Sequence, residues 1–186
     1  MNAVTSTLSA GKDPSATTLA FAVYEIAKRP HVFAKMKAEL EEHIASNTVP
    51  TLADLRKLKY IKMVIKETLR NHHPQCVVYS LLSLQNREDL GVEDASEWRP
   101  ERWETWKPGS KWEYVPFNHG PRIWLGQQFA NVQMEYCARL CQEYESISLL
   151  SEAQPQEGLM RLELNTKLAY PIYVKCIQKN KNEHKP

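Results

Sequence analysis

A mainly α-helical fold with a small β component, an α+β domain, is what the sequence predicts. Apolar residues recur every three or four positions through most of residues 15–71 and again through 125–144, the period of helices with one buried face. Near the carboxyl end the period shortens to two: Leu159, Arg161 and Glu163 alternate with Met160, Leu162 and Leu164, as in a half-buried strand. With 186 residues, 42% of them apolar, there is material for one domain (residues 1–186) with a modest core. Residues 1–9 and 178–186 are expected to be flexible.

Residues 1–11 are small and polar. Asp13 followed by Pro14 reads as an N-cap and a first-turn proline, opening a helix from about Ser15 to Lys28. Leu19, Ala22, Val23 and Ile26 make its apolar face, and Arg29 and Pro30 close it. A second helix, from about Val32 to Ala45, sets Phe33, Met36, Leu40 and Ile44 in register opposite a charged face. Thr51 and Asp54 resemble a capping box, with aspartate in place of the usual glutamate, for a short helix ending near Leu58. Ile61, Val64, Ile65 and Leu69 mark a fourth helix from about Lys59 to Asn71. Pro116 to Trp124, PFNHGPRIW, interrupts any period and reads as a tight loop. It feeds a helix from Leu125 to near Tyr144, with Leu125, Phe129, Val132, Tyr136 and Leu140 recurring along it. Leu168 to Ile177 reads as a second extended stretch, with Pro171 at an edge or bend. No internal repeat is present.

Composition narrows the function. A net charge of +2 is too small to indicate nucleic acid, and the basic tail Lys179–Lys185 reads as a solvated terminus. No apolar run approaches the ~20 residues that span a bilayer. The first residues lack the basic flank and apolar core of a signal peptide. Cys76, Cys137, Cys141 and Cys176 form no CxxC pair, which suits free thiols in an intracellular chain better than a zinc site. His72 and His73 are adjacent and point in different directions on a helix, so they do not suit shared ligation.

Chemistry enters with four short stretches. Glu67 and Arg70 lie three apart and share a helix face; taken alone they read as a surface ion pair worth under ~1 kcal/mol. Further on comes Trp98-Arg-Pro-Glu-Arg-Trp103. Then Phe117, Gly120, Arg122 and Gly126 punctuate the loop, and Ala10-Gly-Lys-Asp-Pro-Ser15 precedes the first helix. Together, in this order, they resemble the cytochrome P450 family. Its haem loop reads F-x-x-G-x-R-x-C-x-G, its E-x-x-R motif falls on Glu67 and Arg70, and its P-E-R-F/W stretch falls on Pro100 to Trp103. Its A-G-x-D-T-T stretch falls on Ala10 to Ser15. The resemblance covers about residues 8–177. The runs Gly126-Gln-Gln-Phe-Ala130 and Arg99-Pro-Glu-Arg-Trp-Glu104 look most like fungal members that hydroxylate fatty acids or secondary metabolites.

The resemblance implies a partial cytochrome P450 fold, from the central helix to the C-terminal hairpin. It implies haem as cofactor, held near Phe117, Gly120, Arg122 and Gly126, and an NADPH-dependent reductase as electron donor. Arg122 would pair a haem propionate, and Glu67, Arg70 and Arg102 would form a buried triad beneath the haem. The acid–alcohol pair of the oxygen side would fall on Asp13 and Pro14, with Ser15 or Thr17 as substitute hydroxyls. The resemblance further implies that relatives are held on the endoplasmic reticulum membrane by an anchor, and the expectation is that this anchor, the amino-terminal sheet and the pocket roof are missing from this chain.

Two departures bear on function. At the position of the family's cysteine stands Trp124; a thiolate pushes electron density onto haem iron, whereas an indole offers only an N–H and no lone pair. At Pro74-Gln75-Cys76 the family's run of strands and turns is missing, which reads as a deletion. The expectation is therefore a truncated, inactive monooxygenase-like chain with no metal ligand and at most weak haem association. The alternatives are a wrong start and missed exon in an active C–H hydroxylating monooxygenase, or a non-enzymatic binding or regulatory fragment. Uncovered helix faces predict poor solubility or partial folding.

Overall fold

The computed structural model describes residues 3–45, 48–72, 81–90, 92, 94–150, 160–162 and 166–179. Helix α1 (Ala3–Ala27) buries Phe21, Ala22, Tyr24, Ile26 and Ala27 and lies against α2 (Pro30–His43). Pro30 takes the first turn of α2, where a missing N–H is no loss. Phe33, Met36, Leu40 and Ile44 are all buried, so the spacing seen in the sequence is the core face. Helix α3 (Leu52–Lys57) starts at a complete capping box: Thr51 Oγ1 accepts from the Asp54 N–H at 3.3 Å, and Asp54 accepts from the Thr51 N–H at 3.1 Å. Hydrogen bonds from the Thr51 hydroxyl and N–H, then from Lys57, hold the Asp54 carboxyl down at about 2.

Helix α4 (Lys59–Asn71) has the bounds its periodicity predicts, with Ile61, Val64, Ile65 and Leu69 buried. Leu58 offers no side-chain cap. Glu39 on α2 supplies one across the helix pair: its two oxygens accept from the N–H groups of Tyr60 and Ile61 at 2.7 and 2.9 Å. A carboxylate there also meets the positive end of the helix dipole.

Short helices α5 (Leu81–Gln85) and α6 (Arg102–Thr105) precede α7 (Gln127–Ala138). Four strands follow: β1 (Tyr144–Leu149), β2 (Met160–Leu162), β3 (Thr166–Leu168) and β4 (Val174–Gln178). β1 pairs antiparallel with β4, setting Ile147 opposite Cys176, and β2 pairs with β3 in a hairpin. Ile147, with Tyr144, Leu149 and Val174, closes the core from the strand side.

Several expectations need correction. Pro14 does not open the first helix; α1 begins at Ala3 and runs through it, with Asp13 mid-helix. Proline removes one backbone bond and crowds the carbonyl four residues back. Burial of Ser15, Thr18 and the apolar residues beyond outweighs that local penalty, since packing supplies most helix stability in proteins. The Thr18 hydroxyl donates to the Pro14 carbonyl at 2.9 Å.

The helix expected over 125–144 is shorter: α7 passes into a 3₁₀ turn, Arg139–Glu143, and Tyr144 already belongs to β1. Its expected core stripe faces outward. Leu125 is 97%, Phe129 66% and Leu140 58% exposed, while Ala130, Met134 and Glu135 are the buried residues of α7. The strand expected over 168–177 is divided between β3 and β4, with Pro171 in the irregular stretch between. Residues 3–9 belong to α1 and Gln178 to β4. Cys76, the join at Pro74–Cys76, the segment Val77–Ser80, and residues 180–186 lie outside the described residues.

Helices α1 and α4 are also tied by charge. His72 Nε2 lies 2.7 Å from Glu25 Oε1, its ring stacked 4.6 Å from Phe21, and the other Glu25 oxygen accepts from Arg29. Arg29 stands over the Trp98 ring at 5.0 Å. Burial pushes the Glu25 carboxyl up, but the hydrogen bond and charge of His72, then Arg29, outweigh it and leave the carboxyl below its usual 4.5. A depressed folded value stabilises above the unfolded value and loses that contribution as pH falls through the folded one. Urea midpoints measured from pH 7 down to pH 3 are therefore expected to fall more steeply for the unmodified chain than for Glu25→Gln. Parallel slopes would contradict this.

Candidate functional site

The polar centre of the molecule is built on α4. Glu67 and Arg70, one turn apart, are fully buried, and Arg102 of α6 is 3% exposed. The Glu67 carboxylate accepts two bonds from Arg70, at 2.7 Å from Nη2 and 3.0 Å from Nε, the two-pronged geometry that guanidinium suits. Arg102 Nε approaches the same carboxylate at 3.4 Å. Other donors reach backbone and one side chain: Arg70 Nη1 donates to the carbonyls of Ala95 and Gln85 at 2.7 and 3.1 Å and to Asn86 Oδ1 at 2.8 Å, and Arg102 Nη2 donates to the Asp94 carbonyl at 2.7 Å. Two partners of Glu67 were not legible beforehand: the Trp103 indole N–H at 3.1 Å and the Arg99 N–H at 3.0 Å. Trp103 sits beside Arg102 in the Pro-Glu-Arg-Trp run, which was the available signal. Glu67, Arg70 and Arg102 thus lie together in a buried cluster, not in the surface pair that the spacing of Glu67 and Arg70 alone suggests.

The loop after residue 115 hangs from this cluster through Gln85, which has no sequence signal. Its side chain accepts from the Val115 N–H at 3.2 Å and donates to the Leu69 carbonyl at 3.4 Å. Asn118 and Gly120 both have positive φ, 60° and 79°, and at Gly120 glycine relieves the strain of that conformation. A 3₁₀ turn, Gly120–Arg122, follows; the Arg122 side chain lies outside what is described. The Trp124 N–H donates to the Phe117 carbonyl at 3.0 Å and closes the loop. Gly126 precedes α7, and its carbonyl accepts from the Ala130 N–H at 2.9 Å.

Inside the loop the aromatic rings meet. Phe117 is buried, and Trp124 stacks on it with centroids 5.5 Å apart and planes 18° apart. The indole also presses on Gly126: a side-chain carbon there would lie 3.0 Å from Trp124 Cζ2 and 3.1 Å from Cε2. Beside Phe117 lies a cavity of about 180 Å³ lined by Ile65, Leu69, Tyr114, Asn131 and Glu135. Burial pushes the Glu135 carboxyl up, against the pull of Lys62 at 4.0 Å. Asp13, Pro14 and Ser15 sit on α1, which lies along α7.

The sequence pattern of the family described as Cytochrome P450 matches residues 1–82 and 75–170. The chain belongs to the cytochrome P450 family. Fungal proteins are among its relatives. It is 34% identical to cytochrome P450 52E1 of Candida apicola over 179 residues, 77% of this chain and 34% of that protein. It is 34% identical to cytochrome P450 52A10 of Candida maltosa, covering 78% of this chain and 36% of that one. To cytochrome P450 monooxygenase milC of Cordyceps militaris it is 31% identical, over 89% and 38%. The chain spans about a third of the length of the curated relatives it matches.

The mainly helical fold with its small antiparallel sheets is that of a partial cytochrome P450, and the family implies haem and a redox-partner reductase. No described helix is long and apolar enough to cross a membrane. The residues present do not fit a thiolate-ligated haem. The position that carries the thiolate holds an indole, packed into the loop by Phe117 and Gly126. The described thiols lie elsewhere, with Cys137 on α7, Cys141 in the turn after it and Cys176 on β4. Burial, with Cys176 nearby, pushes the Cys141 thiol up to about 11, so it stays protonated near neutrality. Among the described residues no group of three His, Cys, Asp or Glu is placed to hold a metal ion.

Proposed function

We propose that this chain is a catalytically inactive form of the haem region of a fungal monooxygenase that hydroxylates fatty acids or secondary metabolites. One observation carries the reading: Trp124 stands at the axial position and offers no lone pair. The fungal relatives, several of which carry monooxygenase in their names, support the ancestry. Under this reading electrons from an NADPH-dependent reductase find no acceptor here, and any association with haem rests on apolar contact and on Arg122 pairing a propionate, without an axial bond. Glu67, Arg70 and Arg102 then serve the fold, and Asp13 and Ser15 deliver no proton.

The test is spectroscopic. The purified chain, given haemin, reduced and exposed to carbon monoxide, is expected to show no band of thiolate-ligated haem. Such a band would overturn the reading.

A second reading, a missed exon in an active monooxygenase, has one observation in its favour: the family match breaks into two pieces that overlap at residues 75–82. Sequencing the transcript end to end separates the two. A longer message with a cysteine codon at position 124 supports the active enzyme, and the tryptophan codon supports the inactive one.

A further inference from the structure

We infer that Gly126 in this chain seats the indole of Trp124, so that the loop is filled by its own aromatic stack and holds no haem. The inference deepens the reading of Trp124 as a lost ligand and rests on it. The loop's two motif glycines differ in what they require. Gly120 needs its left-handed backbone, φ 79°, and has nothing within 4 Å of where a side-chain carbon would stand. Gly126 is the reverse. Its φ of −79° and ψ of 2° are open to any residue, so conformation does not demand glycine there.

Space does. A carbon on Gly126 would stand 3.0 and 3.1 Å from two indole carbons, closer than side-chain contacts normally come. The same indole stacks on Phe117 and packs against the core cluster that Phe117 and Ala130 belong to. One glycine and one aromatic ring of the motif thus both turn toward position 124. An aromatic ring that finds an apolar neighbour and a fitted backbone contributes more than its area alone. A porphyrin brought to this loop would have to displace the indole from both contacts.

The test is a double-substitution cycle read by urea unfolding. Gly126→Ala is expected to lower the midpoint in the unmodified chain. In a Trp124→Ala background, the same change is expected to leave the midpoint level or raise it, because alanine is the better residue at an unstrained position. Equal shifts in both backgrounds would overturn the inference. Should Trp124→Ala fail to fold, Trp124→Phe serves as the background, since its single ring lacks the indole carbons that crowd Gly126. Haemin titration is the second readout. If the indole fills the loop, Gly126→Ala leaves haemin uptake unchanged; a loop that seats haem would lose affinity several-fold, which overturns the inference. An additive cycle removes the role given to Gly126 and leaves the carbon monoxide result untouched, so the two failures are separable.

Discussion

Glu67→Ala is expected to cost roughly 3–5 kcal/mol, the penalty for stranding buried charge. Against the ~5–15 kcal/mol by which a domain is stable, that loss takes about a third or more of a typical margin and should lower the urea midpoint clearly. The reason is stoichiometric. One carboxylate, fully buried, faces two guanidiniums, those of Arg70 and Arg102, and also accepts from the Arg99 and Trp103 N–H groups. Remove it and two cations remain in the interior, one fully buried and the other 3% exposed, with two more donors unsatisfied. Arg70→Lys is expected to fail in the same direction, because a single ammonium does not reproduce the two-pronged bond to Glu67 or the reach to Ala95 and Gln85. By contrast, Lys35→Ala, which breaks the exposed pair with Glu101, should cost under ~1 kcal/mol. Circular dichroism against urea checks all three. Glu67→Ala unfolding at the midpoint of the unmodified chain would show that the cluster contributes little.

The second large effect lies on the outer side of α7. Leu125, Phe129 and Leu140 are mostly exposed, and Val132 and Tyr136 are partly exposed beside them. An apolar surface of this kind drives association at ~25 cal/mol per Å² once two copies meet. The unmodified chain is expected to elute as aggregates or to pellet, and the double variant Phe129→Ser, Leu140→Ser to stay in solution with helical content unchanged. Light scattering with the soluble fraction is the measurement. A monodisperse, cooperatively melting unmodified chain would refute it.

These two regions also show what the sequence makes legible. In α4 the apolar spacing, the bounds and the pairing geometry of Glu67 and Arg70 all read directly, because each is local to one helix. In α7 the same spacing rule points to the wrong face. Periodicity detects that a stripe is apolar, and only the neighbours decide whether it is covered. Ala130 and Met134 are the apolar residues of α7 that join the core, and two residues carry a weaker periodic signal than the stripe of five turned outward. β1 escaped because six residues, with Ile147 alone buried, gain their identity from β4, far along the chain. Pro14 misled because its ordinary place is a first turn, and the packing that holds α1 together beyond it is not written at residues 12–15. In the loop, the motif residues were visible, whereas the contact of Trp124 with Phe117 and Gly126 is a distance and had no letter to announce it.

The cap that Glu39 places on α4 has a consequence for how much length the chain tolerates. The first turn of α4 is gripped from α2 at Tyr60 and Ile61, and Glu67 must meet two guanidiniums about two turns later. A residue inserted or lost between them swings Glu67 through about 100° while the grip stays put. The seven-step interval from Tyr60 to Glu67 is therefore a ruler with both ends pinned, and indels there should be far rarer than substitutions.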